Sequence, residues 1–414
     1  MSYKLIVNEK DIYYNFDSCT FSSKALDKDC NKKLYTHALN NRLSKLYILV
    51  TNSCNLACKY CFAHGGSYQN NCGNAMIDLE TFKGTFLELQ KVYIDGIDIV
   101  QFFGGEPLLN YNFIIQCIEY VNEYCNMNKI KIPKYSIVTN GVLLNSETYK
   151  ALRNYNVFIT ISLDGPIGIN DSNRVFKNGS GSFWQIYNNV EKFEDKEQLT
   201  VEFSISDGLI QQYYDKMAKD VLEQFRKMGF QFIITNIIYS ENSIRVYQEN
   251  YHIYKKFIDD YIGLLLNELF GRECKLYDIQ LTNLIISILS KSNARNTCTC
   301  GVNNLTMNTD GQLLSCSLSK DILYDFRDAK NAFDEIRKKF CTVTPPVNCQ
   351  NCSCQRVCGS WCRELDNKET MPYKCVLIKV MVERFLKLLY ARKSDKEAMK
   401  ILICNIKNFM NRMG

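Results

Sequence analysis

Six short apolar runs separated by amphipathic stretches constrain the fold of this chain more than any other feature. The runs lie at residues 46–51, 97–105, 134–141, 157–165, 199–206 and 230–239. Each is almost continuously apolar, as strands buried on both faces are, and the helical spacing between them is typical of βαβ units. The pattern predicts an α/β fold, a parallel sheet that closes part of the way into a (β/α)6 TIM-type barrel. Ligands and chemistry are then expected in the loops that follow the strands.

Twenty cysteines among 414 residues are the second unusual feature. The N-terminus has no charged segment followed by an apolar one, and no uncharged apolar stretch reaches about 18 residues. The chain is therefore predicted to be a cytoplasmic protein without a membrane partner, whose reduced thiols serve metal binding or catalysis. The net charge of +6 is scattered along the sequence, which gives no reason to expect a nucleic-acid partner.

Three of the cysteines stand just after the first predicted strand. Cys54, Cys58 and Cys61 are spaced C-x3-C-x2-C within TNSCNLACKYCFA. Three thiolates can hold three irons of a [4Fe–4S] cube and leave the fourth iron open for a small molecule. A zinc ion with His64 as its fourth ligand is the alternative for the same residues.

The loops after the second and fourth predicted strands carry small and polar residues that suit a ligand. In FFGGEPLL the glycines allow close approach of the backbone, and the carboxylate accepts hydrogen bonds. ISLDGP offers short polar side chains suited to ribose hydroxyls, and the arginine ten residues beyond its aspartate has a guanidinium suited to a carboxylate. The candidate ligand-binding residues are Gly104, Gly105, Glu106, Ser162, Asp164 and Arg174.

A second dense set of cysteines follows nearer the C-terminus. Its spacing is C-x2-C-x5-C-x3-C-x12-C, formed by Cys349, Cys352, Cys358, Cys362 and Cys375. Upstream, the hairpin-like stretch NLTMNTDGQLLSC contains Gly311 and ends at Cys316, and CTCG adds Cys298 and Cys300. Paired C-x2-C units also bind zinc, so a two-site zinc ribbon is the structural alternative.

Taken together, these motifs resemble those of radical S-adenosylmethionine enzymes with a C-terminal SPASM domain, over roughly residues 44–375. The resemblance implies that Cys54, Cys58 and Cys61 hold a [4Fe–4S] cluster that binds S-adenosylmethionine and cleaves it to a 5′-deoxyadenosyl radical. Tyr60 would lie beside the adenine, and Phe62 is the aromatic residue that follows the last cluster ligand. The other contacts that the resemblance implies are Gly104, Gly105 and Glu106 to the methionyl ammonium, Ser162 and Asp164 to the ribose, and Arg174 to the methionyl carboxylate.

For the C-terminal region the resemblance implies two auxiliary [4Fe–4S] clusters with interleaved ligands. Auxiliary cluster II would be held by Cys349, Cys352, Cys358 and Cys375. Cys316 and Cys362 would join Cys298, Cys300 or both at auxiliary cluster I. If both ligate, that cluster is saturated, and if one does, it keeps an open iron for a substrate thiolate. The spare thiols would be Cys341 and Cys354, and the core or bystander thiols Cys19, Cys30, Cys72, Cys117, Cys125, Cys274 and Cys404.

Enzymes of this architecture mostly modify peptides, so the resemblance implies an oxidoreductase that matures a ribosomally made, cysteine-containing precursor peptide. A thioether cross-link is the favoured product, and flavodoxin or ferredoxin is the expected reductant. The alternatives are a carbon–carbon cross-linking enzyme and an anaerobic sulfatase-type maturase that converts Cys or Ser to formylglycine. Sulfatase maturases resemble one another in an aspartate after the hairpin cysteine, where this chain has Ser317, and this disfavours that alternative. An electron-transfer or regulatory iron–sulfur protein is the alternative outside the enzymes.

Five segments are expected along the chain. They are an N-terminal hairpin segment 1–43, a radical SAM partial barrel 44–240, a helical connector 241–295 with two helices between 245 and 290, a SPASM domain 296–375, and a C-terminal helical tail 376–414 with a solvated basic face. KLIVNEKDIYYNF is predicted to form a hairpin that covers the bottom of the barrel, and the alternative is that its edge captures a leader peptide by strand addition. The segment is short for a leader-binding domain, so a separate leader-binding protein is a further expected partner.

Overall fold

The computed structural model describes residues 2–25, 35–66, 76–290, 299–319, 321–327, 333–343, 346–350, 352–358, 362 and 371–413. The strands, in chain order, are β1 Ser2–Val7, β2 Lys10–Asn15, β3 Thr20–Ser22, β4 Tyr35–Thr36, β5 Arg42–Leu49, β6 Gly96–Phe103, β7 Lys134–Thr139, β8 Phe158–Ser162, β9 Thr200–Ile205, β10 Phe232–Ile237, β11 Tyr277–Asp278, β12 Asn304–Met307, β13 Leu313–Leu314, β14 Ile322–Tyr324 and β15 Thr342–Val343. The six predicted apolar runs all form strands, β5 to β10.

The helices lie between and after these strands. In chain order they are α1 Leu79–Val92, α2 Tyr111–Asn128, α3 Ser146–Asn154, α4 Ile167–Asn173, α5 Phe183–Glu191, α6 Asp207–Gln211, α7 Met217–Met228, α8 Glu241–Glu249, α9 Tyr251–Leu269, α10 Ile279–Leu289, α11 Phe333–Cys341, α12 Val347–Gln350, α13 Met371–Arg392 and α14 Lys396–Met413. Among the described residues, no helix is both long and apolar enough to cross a membrane.

Two compact units divide the chain. The sheet unit comprises Tyr35–Val201 and Thr299–Val343, and the helical unit comprises Met1–Leu34, Glu202–Cys298 and Thr344–Gly414. Each unit therefore combines segments that are distant in the sequence. The linear boundaries expected from composition stay a prediction.

A largely parallel sheet forms the centre of the sheet unit. Its strand order is β8-β7-β6-β5-β12-β13-β14, with β5 to β8 parallel to their neighbours and β12 parallel to β5. β12 and β13 form the predicted hairpin, in which Met307 pairs with Leu313. In its turn, Gly311 has φ +78°, and its carbonyl accepts a hydrogen bond from Thr85 Oγ1 of α1 at 2.7 Å. This bond fixes the hairpin against the first helix.

One face of this sheet, the outer face, is closed by helices. Ile48, Phe102 and Ile137 lie in register on it and are fully buried. Tyr135, two residues before Ile137 and so on the same face, donates a hydrogen bond to Asn122 Oδ1 of α2 at 2.8 Å. The opposite face is called the inner face below. Because α2 covers the outer face, the strand residues on that face are apolar, and this contributes to the apolar runs in the sequence.

In the helical unit, β9, β10 and β11 are neighbours in that order. The two helices predicted between residues 245 and 290 are confirmed as α9 and α10, and the shorter α8 precedes them in the expected connector. The sequence analysis did not predict α8, which is short and is capped by Ser240, whose hydroxyl accepts a hydrogen bond from Ser243 N at 3.0 Å. Asn250 alone separates it from α9, with φ −118° and ψ 34°. A one-residue break leaves no glycine or proline signal in the sequence.

The predicted N-terminal hairpin is confirmed. β1 and β2 pair antiparallel from Ser2 opposite Asn15 to Val7 opposite Lys10, and β3 extends the sheet beside β2. Tyr14 donates a hydrogen bond to the Ile288 carbonyl at 3.2 Å. These contacts tie the hairpin to the end of α10, while its expected place at the bottom of the barrel stays a prediction.

The predicted C-terminal helical tail is confirmed as α13 and α14. Asp395 separates the two helices, and its carboxylate accepts a hydrogen bond from Ala398 N at 3.0 Å. One side of α13 is buried, with Met381 and Phe385 at 0% exposure. The opposite side carries exposed charged residues, as expected of a solvated basic face.

Candidate active site at the strand ends of the sheet unit

The cysteine loop, residues 54–61, follows β5 at the C-terminal end of the parallel strands. Cys54, Cys58 and Cys61 are half-buried, and none of them is in a disulfide. Ala57 N donates a hydrogen bond to the Val175 carbonyl at 2.8 Å, which holds the loop against the segment that follows α4. The loop is thus fixed by backbone bonds and presents three thiols at the expected edge of the sheet.

Hydrogen-bond donors surround the sulfur atoms of this loop. Leu56 N lies 3.4 Å from Cys54 Sγ, and Gly65 N lies 3.4 Å from Cys61 Sγ. Burial raises the pKa of the Cys58 thiol to about 11. The metal-free Cys58 thiol is therefore protonated at neutral pH, and a metal must displace that proton when it binds. The N–H donors then stabilise the resulting thiolates.

The three thiols were predicted to hold an iron–sulfur cube or, with His64, a single zinc ion. Within the described ranges, no three Cys, His, Asp or Glu side chains are grouped as a single metal ion requires. Zinc–sulfur bonds of about 2.3 Å would bring ligand sulfurs to about 4 Å from one another. In a cube each cysteine binds a different iron, so the sulfurs stand farther apart. The charges of Cys61 and Cys54 act on Cys58, so these thiols lie near one another, and the choice between a cube and zinc with His64 stays a prediction.

The GGEP loop after β6 is joined directly to the cysteine loop. Gly105 N donates to the Thr51 carbonyl at 2.9 Å, and Glu106 N donates to the Ser53 carbonyl at 2.9 Å. A Cβ at position 105 would lie 2.1 Å from the Ser53 carbonyl oxygen, and one at Gly104 would lie 2.7 Å from the Thr51 oxygen. The sequence suggested that the glycines make room for a ligand. In the structure they make room for the neighbouring loop.

Glu106 is a buried carboxylate that connects two strand ends. Its Oε1 accepts hydrogen bonds from Leu108 N at 3.1 Å and Thr139 Oγ1 at 2.7 Å, and its Oε2 accepts one from Asn140 N at 2.7 Å. Burial raises its pKa to about 7. The carboxylate therefore anchors the loop after β7 to the loop after β6, and its predicted contact with a ligand ammonium stays a prediction.

Asn140 is a site residue that the sequence analysis missed. Its Nδ2 donates to Asn55 Oδ1 at 2.7 Å and lies 3.7 Å from Cys54 Sγ. It thus bridges the loop after β7 and the cysteine loop. The signal was available, since TNG follows the third predicted strand at the same place where GGEP follows the second.

Tyr60, Asp164 and Arg174, predicted separately, form one buried cluster. Tyr60 donates from its hydroxyl to Asp164 Oδ2 at 2.5 Å, and Arg174 Nη2 donates to Asp164 Oδ1 at 3.2 Å. The guanidinium carbon lies 5.3 Å from the centre of the Tyr60 ring. Asp164 is fully buried, and burial raises the Tyr60 pKa well above its ordinary value. The predicted ligand partners thus bind one another here, and their roles toward ribose and carboxylate stay predictions.

Two further residues, Ser162 and Phe62, were predicted for this site. Ser162 is the last residue of β8 and is buried. Phe62 is 51% exposed, and its ring stacks on that of Phe103 with 6.4 Å between the ring centres. Both lie at the strand-end edge of the sheet.

The two hairpin-region cysteines of the sheet unit come together. Gly301 N donates to the Ser315 carbonyl at 3.2 Å, so the backbones beside Cys300 and Cys316 are adjacent. Cys298, the other candidate of CTCG, lies outside the described residues. The predicted role of Cys300 as a co-ligand of Cys316 stays a prediction.

In the helical unit, the C-terminal cysteines begin in a series of tight turns. Cys352 N donates to the Cys349 carbonyl at 3.3 Å, and Cys358 N donates to the Cys354 carbonyl at 2.8 Å. Cys354, expected to be spare, is buried beside Cys352. Cys362 and Cys375 are half-buried and not in disulfides.

The remaining cysteines differ in their exposure to solvent. The expected core cysteines Cys117, Cys125 and Cys274 are buried, as is the spare Cys341. Cys19 is half-buried and Cys404 is exposed. Cys30 and Cys72 lie outside the described residues.

The strand-end edge of the sheet unit thus brings together the cysteine loop, the GGEP turn and the linked side chains of Tyr60, Asp164 and Arg174. The model of the Radical SAM superfamily matches residues 48–208. This part of the chain is a radical SAM domain, and the protein is an enzyme that uses S-adenosylmethionine with a [4Fe–4S] cluster.

Known proteins resemble most of the chain. It is 27% identical to the cysteine-type anaerobic sulfatase-maturating enzyme of Clostridium novyi, over 79% of this chain and 89% of that protein. It is 25% identical to the radical SAM cyclopropyl synthase TigE of Paramaledivibacter caminithermalis, over 83% of this chain and 74% of that protein. A match to an uncharacterized Methanocaldococcus jannaschii protein is 38% identical but covers only 34% of this chain and 45% of that protein.

The fold is also known from solved structures. Native anSMEcpe with bound AdoMet superposes with a TM-score of 0.69 at 20% identity, over 85% of this chain and all of that chain. This similarity establishes the α/β radical SAM fold.

Proposed function

We propose that this enzyme forms a thioether cross-link in a ribosomally made, cysteine-containing peptide. The observation that carries the proposal is the Gly301–Ser315 backbone bond, which sets Cys300 beside Cys316. Those two thiols and Cys362 would supply three ligands to auxiliary cluster I. One iron position then stays open for the thiol of the substrate. Cys349, Cys352, Cys358 and Cys375 would hold auxiliary cluster II.

The radical site would be held by the loops described above. Cys54, Cys58 and Cys61 would bind the first cluster, while Glu106 and Arg174 would orient the methionyl group of S-adenosylmethionine. When bound, the cluster and S-adenosylmethionine supply a 5′-deoxyadenosyl radical that takes a hydrogen atom from the substrate. Thioether formation removes one hydrogen atom from carbon, one proton from the thiol and one electron. The site therefore needs an electron acceptor close to the thiol. Auxiliary cluster I, held by the ligands named above, would be that acceptor.

Two other products are compatible with a radical SAM maturase. Similarity to the Clostridium novyi enzyme favours oxidation of Cys or Ser to formylglycine, but Ser317 stands where sulfatase maturases have an aspartate to take the substrate proton. If Cys298 also ligates, auxiliary cluster I is saturated, and carbon–carbon cross-linking is the better candidate. TigE, whose match covers more of this chain, is named for a third reaction, cyclopropyl synthesis. Sequence similarity at this level therefore does not identify the product.

The first experiment tests radical generation. Reconstituted and reduced protein should hold three clusters, roughly twelve irons, and release 5′-deoxyadenosine from S-adenosylmethionine. Changing Cys54, Cys58 and Cys61 together to Ala should remove about four irons and abolish release. Intact release by the triple variant would contradict the assignment, and an electron-transfer protein would release none in either form.

The second experiment tests the open iron position. A thiol-bearing peptide added to the reduced enzyme should change the paramagnetic spectrum of the auxiliary clusters, and the matched Cys→Ser peptide should not. Equal spectra with both peptides would refute the thioether proposal and leave the maturase assignment in place. The reductant, flavodoxin or ferredoxin, and a separate leader-binding protein are partners within the same proposal.

A further inference from the structure

The inner face of the sheet unit carries an unusual row of residues. Thr306, Tyr47, Gln101, Ser136 and Phe158 pair in register across β12, β5, β6, β7 and β8, so their side chains share one face. Interiors of (β/α) barrels are normally filled by bulky branched apolar residues. Four of the five residues in this row carry a polar group instead. We call it the polar row.

Two groups of the polar row have no hydrogen-bond partner among the residues that the structure describes. Thr306 is fully buried, and its Oγ1 and the buried Ser136 Oγ are both unpaired. Gln101 is also buried, at 9% exposure. Since buried polar groups in native proteins are nearly always paired, these groups indicate a ligand with hydrogen-bonding atoms of its own. A peptide backbone provides such atoms along its whole length.

Lys45 lies on the same face, one row farther from the cysteine loop. It precedes Tyr47 by two residues on β5, and it pairs with Ile99 of β6 and Asn304 of β12. Its Nζ lies 4.6 Å from the centre of the Tyr47 ring, so the side chain extends toward the polar row.

The ammonium of Lys45 is poorly compensated. Burial lowers its pKa to about 8, and no charge among the described residues contributes to this shift. Its neighbours in the strand register, Ile99 and Asn304, carry no negative charge. A half-buried cation beside an aromatic ring is a good site for an incoming carboxylate.

The distance from Lys45 to the reactive edge sets a length. Lys45 precedes Leu49, the last residue of β5, by four positions. At about 3.3 Å per residue the two Cα atoms are roughly 13 Å apart. An extended peptide alongside the strand covers that distance in about four residues.

We propose that Lys45 binds a carboxylate of the substrate peptide about four residues from the position that is modified. The inference rests on the proposed function in one respect, that the substrate is a peptide. The peptide backbone between the two positions runs along the polar row. The carboxylate belongs to an acidic side chain or to the peptide C-terminus, since both offer the same group.

The test measures binding of fluorescent peptides to the reconstituted enzyme without reductant. Each peptide has one Cys in a Gly-Ser-Ala background, an amidated C-terminus, and one Glu two to six residues from the Cys on either side. Matched peptides carry Gln in place of Glu, and a further arm has no Glu but a free C-terminal carboxylate at the same separations. The two arms distinguish the sources of the carboxylate.

Wild type should bind the carboxylate peptide with a separation of four about tenfold more tightly than its Gln or amide counterpart. Lys45→Met should lose this preference, and Lys45→Arg should keep it because the charge is restored. Lys150→Met, which changes an exposed lysine of α3, is the matched control and should behave as wild type.

Equal binding of the Glu and Gln peptides by wild type would overturn the proposal. So would a preference that survives in Lys45→Met or that peaks at a separation other than about four. Release of 5′-deoxyadenosine without peptide is measured in parallel on each variant. Loss of that release in wild type would count against the proposed function, whereas the peptide preference tests Lys45 by itself.

Discussion

Replacing Gly105 by Ala tests whether the joined loops shape the site. The added Cβ would lie 2.1 Å from the Ser53 carbonyl oxygen, where ordinary contact begins at 3.4 Å, so the loops must separate by 1.3 Å. Crowding of this kind costs about 1–3 kcal/mol. Separation also weakens the Gly105–Thr51 and Glu106–Ser53 hydrogen bonds, at about 1 kcal/mol each.

The expected loss of stability is therefore about 3–5 kcal/mol, a large part of the 5–15 kcal/mol of a typical domain. For a unit of this size it corresponds to a fall of about 6–20 °C in the unfolding midpoint. The midpoint is measured by circular dichroism on metal-free protein, and iron uptake is measured after reconstitution. Iron bound at the cysteine loop should also fall, because Ser53 directly precedes Cys54.

Gly84→Ala is the matched control for this variant. Gly84 lies in α1, and a Cβ added there would meet no atom within 4 Å, so the change should raise stability by up to about 1 kcal/mol. A wild-type midpoint and normal iron uptake in Gly105→Ala would refute the reasoning. That result would mean that the two loops are not held in contact.

Three further changes test other parts of the site. Asn140→Ala should leave the fold intact and lower iron retention at the cysteine loop, measured as iron lost to a chelator over time. Asp164→Asn leaves the Arg174 guanidinium buried without its carboxylate, which should cost about 3–5 kcal/mol in chemical denaturation. The pKa of Glu106 is raised to about 7, so its contribution to folding is largest below about pH 4.5 and is lost as the pH rises through 7. Ionised Glu106 is the form that accepts from an ammonium, so titrations should show S-adenosylmethionine binding that tightens from pH 6 to pH 8, and Glu106→Gln should abolish this dependence.

The sequence predicts strands of this sheet well, because burial on both faces leaves a pattern that no other element shares. Outer-face residues such as Ile48, Phe102 and Ile137 are apolar and fully buried, because helices that include α2 cover that face. The cysteine loop and GGEP were found for a related reason. Residues at the ends of parallel strands must meet at one edge, so polar and metal-binding types at that place attract attention.

What the sequence does not reveal is which groups bind one another. Asp164 and Arg174 were each assigned to a ligand, yet they form an ion pair with 3.1 Å between Nε and Oδ2. Asn140 was overlooked because an Asn-Gly pair ordinarily marks a turn. Its contacts with Asn55 and Glu106 depend on the register of three loops, and register between loops leaves no periodic pattern.

The polar row is a second case in which the sequence does not show which residues act together. Gln101 and Ser136 interrupt two strands that otherwise read as continuous apolar runs, and taken singly each looks like an ordinary substitution in a strand. Their meaning comes from register, which aligns them with Tyr47 and Thr306 on the inner face.

Site residues of this enzyme therefore fall into two kinds that experiments can separate. Gly104 and Gly105 are fixed by backbone packing, so their replacement should disturb loop geometry and reduce iron uptake and S-adenosylmethionine binding together. Glu106 and Arg174 are proposed to contact S-adenosylmethionine, so their replacement by Ala should weaken its binding by about 1.5–3 kcal/mol each while iron content stays the same. If Glu106→Ala lost iron as Gly105→Ala should, its three hydrogen bonds to neighbouring loops would be its main role, and the predicted contact with the methionyl ammonium would be wrong.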